Sequence, residues 1–279
     1  MLIDAIFNNQ LFMTRLFQIT VLSCAGLLLT GCNSPDKNEP IWRHVKIGDI
    51  APSHTNEQPG GQLLETINFG VYIFEIPAEN ISALDGVRQI LYTKPLKFND
   101  YESFSANSFS AGFGQIQMWN KIRNLLLAAG GKKVKTVSLL LSGGQADDLL
   151  IARLYKEQTI FYVSADGSME GVTIGPGELA LRIKAEKIPG SRGVYNVNAQ
   201  PVFPSPTRSA IPQLAAREKS GEFLFTSAGF GLKMSPGDFV FLGPVKYTDQ
   251  MTLAGLFFSR DDRKPVIRTY LIVCTRIND

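Results

Sequence analysis

The first regular pattern of apolar and polar positions lies in residues 66–76. Every second side chain there is apolar: Ile67, Phe69, Val71 and Ile73. A period of two residues is typical of a β-strand. Tyr72 and Phe74 make the opposite face apolar as well. The pattern therefore predicts a strand inside a sheet, buried on both faces, which ends at Pro77.

A helical period follows in residues 115–129. Its apolar positions share one face of a helix: Ile116, Trp119, Ile122, Leu125, Leu126 and Ala129. The pair Gly130-Gly131 is a typical end for such a helix. A shorter helix is predicted after Asn80, a residue that often caps a helix N-terminus. Its apolar positions are Ile81, Leu84, Val87 and Leu91.

Most of the remaining chain has the pattern of short strands separated by glycine and proline. We predict strands at 134–141, 159–163, 178–185, 193–200, 222–225, 238–242, 251–259 and 266–275. Residues 92–114 are interpreted as a loop with one or two short strands. The expected fold class is α+β and mostly β, with mixed or antiparallel sheets and two helices in the N-terminal half of the folded domain.

The N-terminal segment has a different pattern. Arg15 precedes an apolar run at 16–29, which has the length of a signal-peptide core and is too short to span a bilayer. Leu29-Thr30-Gly31-Cys32 then matches a lipobox, with small residues before a cysteine. We therefore interpret residues 1–31 as a lipoprotein signal peptide cleaved between Gly31 and Cys32, with Met13 as the expected true start.

In a lipoprotein, the Cys32 sulfur accepts a diacylglycerol, and the matured residue carries acyl groups such as palmitate. Residues 32–62 are polar and rich in proline, which predicts a flexible tether ahead of a folded domain at 63–279. Because Asn33 is not an aspartate, resemblance to enterobacterial sorting favours the outer membrane, on its periplasmic side. We expect a cell-envelope location and a membrane contact through the lipid, and no other cofactor.

Composition narrows the functional classes. The net charge of +3 is too small to indicate nucleic-acid binding. Both histidines, His44 and His54, fall in the predicted tether, so a histidine-based catalytic or zinc site in the folded domain is not expected. Cys274 lies in an apolar run and is interpreted as a buried, unreactive thiol. Lys132, Lys133 and Lys135 are interpreted as a solvated strand edge.

Carboxylates keep one catalytic alternative open, since a pair of them can hydrolyse glycosides without histidine. The available residues are Glu75, Asp147, Asp148, Glu170 and Asp238. We interpret Asp147, Asp148 and Asp238 as turn residues and Glu75 as a strand-edge residue. The main expectation is a protein that is not an enzyme.

The order of the elements resembles the C-terminal β-domain of the bacterial secretins, the outer-membrane rings of type II secretion and type IV pili. The segments that carry the resemblance are 67–87, 125–146, 158–163, 177–181, 253–258 and 271–277, the last reading Leu-Ile-Val-Cys-Thr-Arg-Ile. Two features depart from the family. Its Val-Pro and Leu-Gly signature is largely absent, and residues 164–176 are too few for the hairpins that form a secretin pore.

The resemblance implies a secretin-like soluble module with a structural, assembly or protein-binding role in secretion or pilus systems, its partners being envelope proteins or further copies of itself. Five loop aromatics are candidate interface residues: Phe98, Tyr101, Phe104, Phe109 and Phe113. The alternative is that these side chains fold onto the core. A hydrolytic lipoprotein and a small-ligand-binding lipoprotein remain the other two functional hypotheses, and a deep apolar pocket would favour the latter.

Overall fold

The structure is a computed structural model that describes residues 66–204, 222–261 and 264–278. The predicted signal peptide, the tether, the cleavage site at Gly31 and Cys32 and the alternative start at Met13 lie outside the described residues. So do both histidines.

The described chain is mostly β, as predicted, and combines antiparallel sheets with four α-helices. The strands are β1 (Thr66–Pro77), β2 (Lys97–Phe98), β3 (Phe109–Gln115), β4 (Lys132–Ser142), β5 (Ala146–Leu154), β6 (Gln158–Val163), β7 (Met169–Ile174), β8 (Gly177–Lys187), β9 (Tyr195–Phe203), β10 (Phe223–Leu224), β11 (Phe230–Met234), β12 (Asp238–Pro244), β13 (Ser259–Arg260) and β14 (Val266–Asn278). The α-helices are α1 (Leu84–Ile90), α2 (Tyr101–Ala106), α3 (Trp119–Ala128) and α4 (Leu253–Phe258).

The strands form two larger sheets and one hairpin. The first sheet has the order β3-β12-β14-β1-β4, with β13 beside β14, and the second has the order β2-β11-β9-β8-β5, with β10 beside β9. Strands β6 and β7 form a separate hairpin. All of these pairs are antiparallel.

The first sheet is buried on both faces. Its Phe69 and Val71 belong to the core cluster that also contains Leu181 and Val197 of the second sheet. Its other face packs under α1 and α3, where Phe74 shares a second cluster with the helix residues. The order of layers is therefore helices, first sheet, second sheet, as the two apolar faces of β1 require.

Strand β1 confirms the sequence pattern. It pairs with β14 on one side and β4 on the other, so it is an inner strand. Strand β4 ends the first sheet, and its residues Lys132, Lys133 and Lys135 are exposed there, as expected for a solvated edge.

The two predicted helices are present, with changes at their starts. Residues 116–118 form a 3-10 turn before α3, and residues 78–83 form a 3-10 helix before α1. Asn80 does not cap that helix. Its Nδ2 instead donates a 2.9 Å hydrogen bond to the carbonyl oxygen of Ala129, the residue that closes α3.

Asp147 and Asp148, interpreted as turn residues, lie in β5, and two further predictions about element type were wrong. Residues 253–258, predicted as part of a strand, form α4, whose six residues are all buried and therefore lack a helical polar face. Residues 101–106, predicted as loop, form α2, capped by Asp100, whose carboxylate accepts from the Ser103 N–H at 3.0 Å.

Candidate functional site

An open cleft lies where α3 crosses the first sheet. Its volume is about 600 Å³, within the range of small-molecule sites. The described residues around it come from α3 and the turn before it, from three strands of the first sheet and from Gly237. They are Tyr72, Phe74, Ile116, Trp119, Arg123, Leu127, Lys133, Gly237, Val273, Cys274 and Thr275.

The periodicity of α3 directs one stripe of side chains to the cleft. Trp119, Arg123 and Leu127 are spaced by four residues and therefore lie on one face of the helix. Ile122 and Leu126, on the adjacent face, are fully buried against the first sheet. The core contact of α3 thus fixes the orientation of the cleft stripe.

Aromatic rings form much of the cleft wall. The rings of Tyr72 on β1 and Trp119 on α3 meet edge to face, with centroids 5.0 Å apart. Trp119 also meets the Phe239 ring of β12 at 5.9 Å. These contacts hold the indole between helix and sheet, so the aromatic wall is formed by contacts within the protein itself.

Two cations border the aromatic wall. Lys133 Nζ lies 5.7 Å from the centroid of the Tyr72 ring, within cation–π range. Arg123 is exposed and has no hydrogen bond or carboxylate partner among the described residues. None of the described residues that line the cleft is a carboxylate. The cleft is therefore a partly apolar, electropositive site.

Cys274 borders the cleft as a neutral thiol. Its side chain is buried, and burial, with a smaller contribution from the charge of Asp238, raises its pKa from 9.0 to about 12. A thiol is nucleophilic only as the thiolate, so near neutral pH this sulfur is unreactive.

The five aromatic residues considered as an interface differ in how far their side chains are buried. Phe104, Phe109 and Phe113 are buried, and Phe98 packs on Phe104 with ring centroids 4.7 Å apart. Tyr101 alone of the five is exposed, at 61%. They mostly fold onto the core, because α2 and β3 bring them beside α4, where Phe258 meets Phe109 at 4.9 Å.

The carboxylates considered for hydrolysis are distributed over the molecule. Asp148 binds Arg182 through two hydrogen bonds of 2.7 Å, and Glu75 accepts from Arg268 Nε at 2.8 Å. Asp238 accepts from the Ser235 N–H. The remaining two carboxylates make local contacts only. Asp147 accepts from the Asp148 N–H, and Glu170 accepts from the Tyr162 hydroxyl.

The described ranges contain no cluster of three or more histidine, cysteine, aspartate or glutamate residues that could hold a metal ion. They also contain no helix with the length and apolar character needed to cross a bilayer. No protein-family model matches the chain, and no curated protein is similar to it.

The sequence interpretation missed the cleft. It assigned Trp119 to the apolar face of α3, Tyr72 to a strand and Lys133 to a solvated edge, without placing them together. The available signal was the four-residue spacing of Trp119, Arg123 and Leu127, which puts a cation between two apolar side chains on one helix face.

Proposed function

We propose that this protein is a non-enzymatic binding protein and that the cleft beside α3 holds a small organic anion with an aromatic or other apolar part. The observation that carries the proposal is Arg123, a cation without a carboxylate partner among the described residues, beside an aromatic wall.

The chemistry of the lining supports this class of ligand. Tyr72 and Trp119 offer ring faces and edges to an apolar group, and Leu127 extends that surface. The Arg123 guanidinium has a planar fork of donors that matches a carboxylate, sulfonate or phosphate. Lys133, over the Tyr72 ring, adds a second positive charge to the lining of the cleft. The preformed aromatic contacts reduce the ordering cost of binding.

Anilinonaphthalene sulfonate is a suitable probe, because it joins an apolar ring system to one negative charge. Phenylnaphthylamine has a similar ring system without the sulfonate. We expect the full chain to bind the sulfonate more tightly than the neutral compound, measured by fluorescence titration. Arg123→Glu should weaken sulfonate binding about tenfold, since about 1.4 kcal/mol corresponds to that factor, and should leave the neutral compound unchanged.

Lys121→Glu is the matched control. Lys121 lies on the same helix and is exposed, but it does not line the cleft, and the substitution changes the net charge equally. It should bind the sulfonate like the unmodified chain at about 0.15 M salt, where distant charges are screened. The proposal would be contradicted if Arg123→Glu and Lys121→Glu lost equal affinity for the sulfonate. Equal affinity of the unmodified chain for the two probes would also contradict it.

We also propose that the protein is held in the cell envelope by a lipid on Cys32, in the outer membrane on the periplasmic side. The support is the sequence: Arg15, the apolar run at 16–29 and the lipobox ending at Cys32. Growth with an alkyne analogue of palmitate should label the unmodified chain, whereas Cys32→Ala should stay unlabelled and uncleaved. A labelled Cys32→Ala variant would contradict the anchor.

A role in envelope assembly, with protein partners or further copies of the chain, is the second candidate function. It is supported by residues 136–142 of β4, the lysine-free part of the strand that ends the first sheet, because sheet edges can pair with another chain. Detergent-extracted native protein should then run as an assembly in size-exclusion chromatography with light scattering. A monomer that cross-links to no partner would contradict this role.

A further inference from the structure

A second cavity lies at the outer edge of β3, the strand at the opposite end of the first sheet from β4. Its volume is about 240 Å³. Leu91 and Phe241 reach it from the core cluster under the helices. Phe104 and Phe109 reach it from the core cluster between the two sheets. The cavity therefore passes around the edge of β3 from one face of the sheet to the other.

The outer edge of β3 is only partly paired. Tyr92, which follows α1, exchanges two backbone hydrogen bonds of 2.8 and 2.9 Å with Phe113. The chain then turns away, and the Leu96 N–H bonds to the carbonyl oxygen of Thr93, a residue that lines the cavity. In the described part of the chain, no strand runs along this side of β3. The edge beside Ala111 is thus left open to the cavity.

Ala111 has two buried backbone groups without a partner. In an antiparallel strand the backbone groups of alternate residues point to the same side, and β3 pairs with β12 in one unbroken register. The N–H and carbonyl of Ala111 therefore point away from β12, as those of Phe113 do. Ala111 is 8% exposed, and these two groups bond to no described residue. Buried backbone groups are nearly always paired, so a partner is expected here.

The charged side chain beside the cavity is already engaged. Arg88 Nη1 pairs with Asp85, and Arg88 Nη2 donates to the carbonyl oxygen of Pro244. Its Nε is buried from solvent, so the guanidinium has no free fork for an anion. A carboxylate would also bring an oxygen against the Ala111 carbonyl oxygen. A neutral group that has both an N–H and a carbonyl would instead satisfy both backbone groups of Ala111.

Much of the remaining lining is apolar. The Phe104 ring packs on Phe98 and on Phe109, with centroids 4.7 and 5.6 Å apart. Leu91 and Phe241 add to this surface from the helix side. The volume is below about 300 Å³, the size at which sites for drug-sized ligands begin. The cavity therefore suits a single apolar side chain.

We propose that the edge of β3 at Ala111 binds one residue of an extended, uncharged peptide with a side chain such as that of leucine. The N–H of this residue donates to the Ala111 carbonyl oxygen, and its carbonyl oxygen accepts from the Ala111 N–H, as Tyr92 does for Phe113. Its side chain enters the cavity beside the phenylalanine rings. Peptides bind free sheet edges in this way, with main-chain bonds and a side-chain pocket. The inference depends neither on the cleft beside α3 nor on the edge of β4.

The test is titration of the full chain, isotope-labelled at its alanine nitrogens, with N-acetyl-leucinamide. We expect saturable binding and a shift of the Ala111 amide resonance, which Ala111→Gly identifies by its loss. The analogue with an ester oxygen in place of the leucine N–H should bind at least about tenfold more weakly, because the Ala111 carbonyl then faces an oxygen. An unshifted Ala111 resonance, or equal binding of the two compounds, would overturn the proposal.

Ser105→Phe and Ser82→Phe are the matched variant and control. Ser105 lies on α2, is exposed and lines the cavity, so a phenyl ring there narrows it from the surface. Ser82 is exposed on the 3-10 helix before α1 and does not line the cavity. Ser105→Phe should bind N-acetyl-leucinamide at least about tenfold more weakly, and Ser82→Phe should bind it like the unmodified chain. Unchanged resonances of Ala180 and Ala199 in the second sheet would show that Ser105→Phe is folded. Equal affinity of the two folded variants would overturn the proposal, and the comparison of amide with ester tests it without any variant.

Discussion

At the scale of single residues, Asn107 shows how one side chain can join segments that are distant in sequence. Its Nδ2 donates to the carbonyl oxygens of Ser103 at 2.8 Å and Val163 at 2.7 Å. Its Oδ1 accepts from the Val163 N–H at 2.8 Å. Asn107 is buried, so these bonds replace water for both polar backbone groups of Val163 and fix α2 against β6.

Asn107→Ala should therefore destabilise the protein. The substitution leaves the Val163 N–H without this partner in a buried position, and each orphaned group costs about 1–3 kcal/mol. The measurement is the free energy of unfolding from urea titration. Asn120→Ala, an exposed position on α3, should change it by less than about 0.5 kcal/mol. Equal effects at the two positions would show that the Asn107 network does not stabilise the fold.

Cys274 predicts a dependence of stability on alkaline pH. Its pKa is raised from 9.0 to about 12 by burial. Below pH 9 the thiol is protonated in both states, so its contribution to stability is fully present. Above pH 9 the unfolded state releases this proton while the folded state retains it, so the free energy of unfolding falls as pH rises towards about 12.

The free energy of unfolding of the unmodified chain should consequently fall more steeply between pH 9 and about 12 than that of Cys274→Ala. Tyr270, whose pKa burial raises to about 12, is present in both proteins and cancels in the comparison. Parallel curves for the two proteins would contradict the burial of this thiol.

At the scale of elements, the sequence predicted the ends of helices and strands well where the backbone preference of a single residue type determines the end. The end of α3 is such a place: Gly130 has φ +75°, and the N–H groups of Gly130 and Gly131 bond to the carbonyl oxygens of Leu127 and Leu126. This is the hydrogen-bond arrangement that glycine favours at helix C-termini. The same reasoning failed at Asn80, which was predicted to cap the N-terminus of the helix that follows it. Its side-chain amide instead donates a hydrogen bond to the carbonyl oxygen of Ala129, at the end of α3.

Two glycines should respond to alanine with opposite signs. Gly130→Ala places a Cβ in the left-handed region and should cost about 1–2 kcal/mol. Gly86→Ala lies in α1, where the new Cβ would be 3.9 Å from Leu125 Cδ2, an ordinary contact. It should stabilise by up to about 1 kcal/mol. The measurement is the melting temperature of each variant relative to the unmodified protein. Two melting temperatures that both rise or both fall would refute this account.

Strands β5, β7 and β11 were not predicted, and β5 shows one cause. Asp147 and Asp148 suggested a turn, yet both lie in β5. The pairing partner of Asp148 on β8 is Arg182, which binds its carboxylate through two hydrogen bonds. A cross-strand arginine thus stabilises an aspartate that disfavours strands by itself. No local pattern reveals that partner, because it lies thirty-four positions later.

At the scale of the whole molecule, the fold class followed from alternation and turn residues, but the site did not. Tyr72, Trp119, Lys133 and Cys274 meet only because β1 lies between β14 and β4 while α3 covers the same face. Periodicity reports which face of an element is apolar, and it does not report which elements become neighbours. The cleft therefore became visible only with the sheet order.

The central claim, that the cleft beside α3 is a ligand site, is tested most directly by a crystal structure of the full chain with anilinonaphthalene sulfonate. The account predicts the ring system against Tyr72 and Trp119, with the sulfonate bound by Arg123. A probe bound elsewhere, such as beside the exposed Phe161 and Met169 of the β6–β7 hairpin, with this cleft empty, would contradict it.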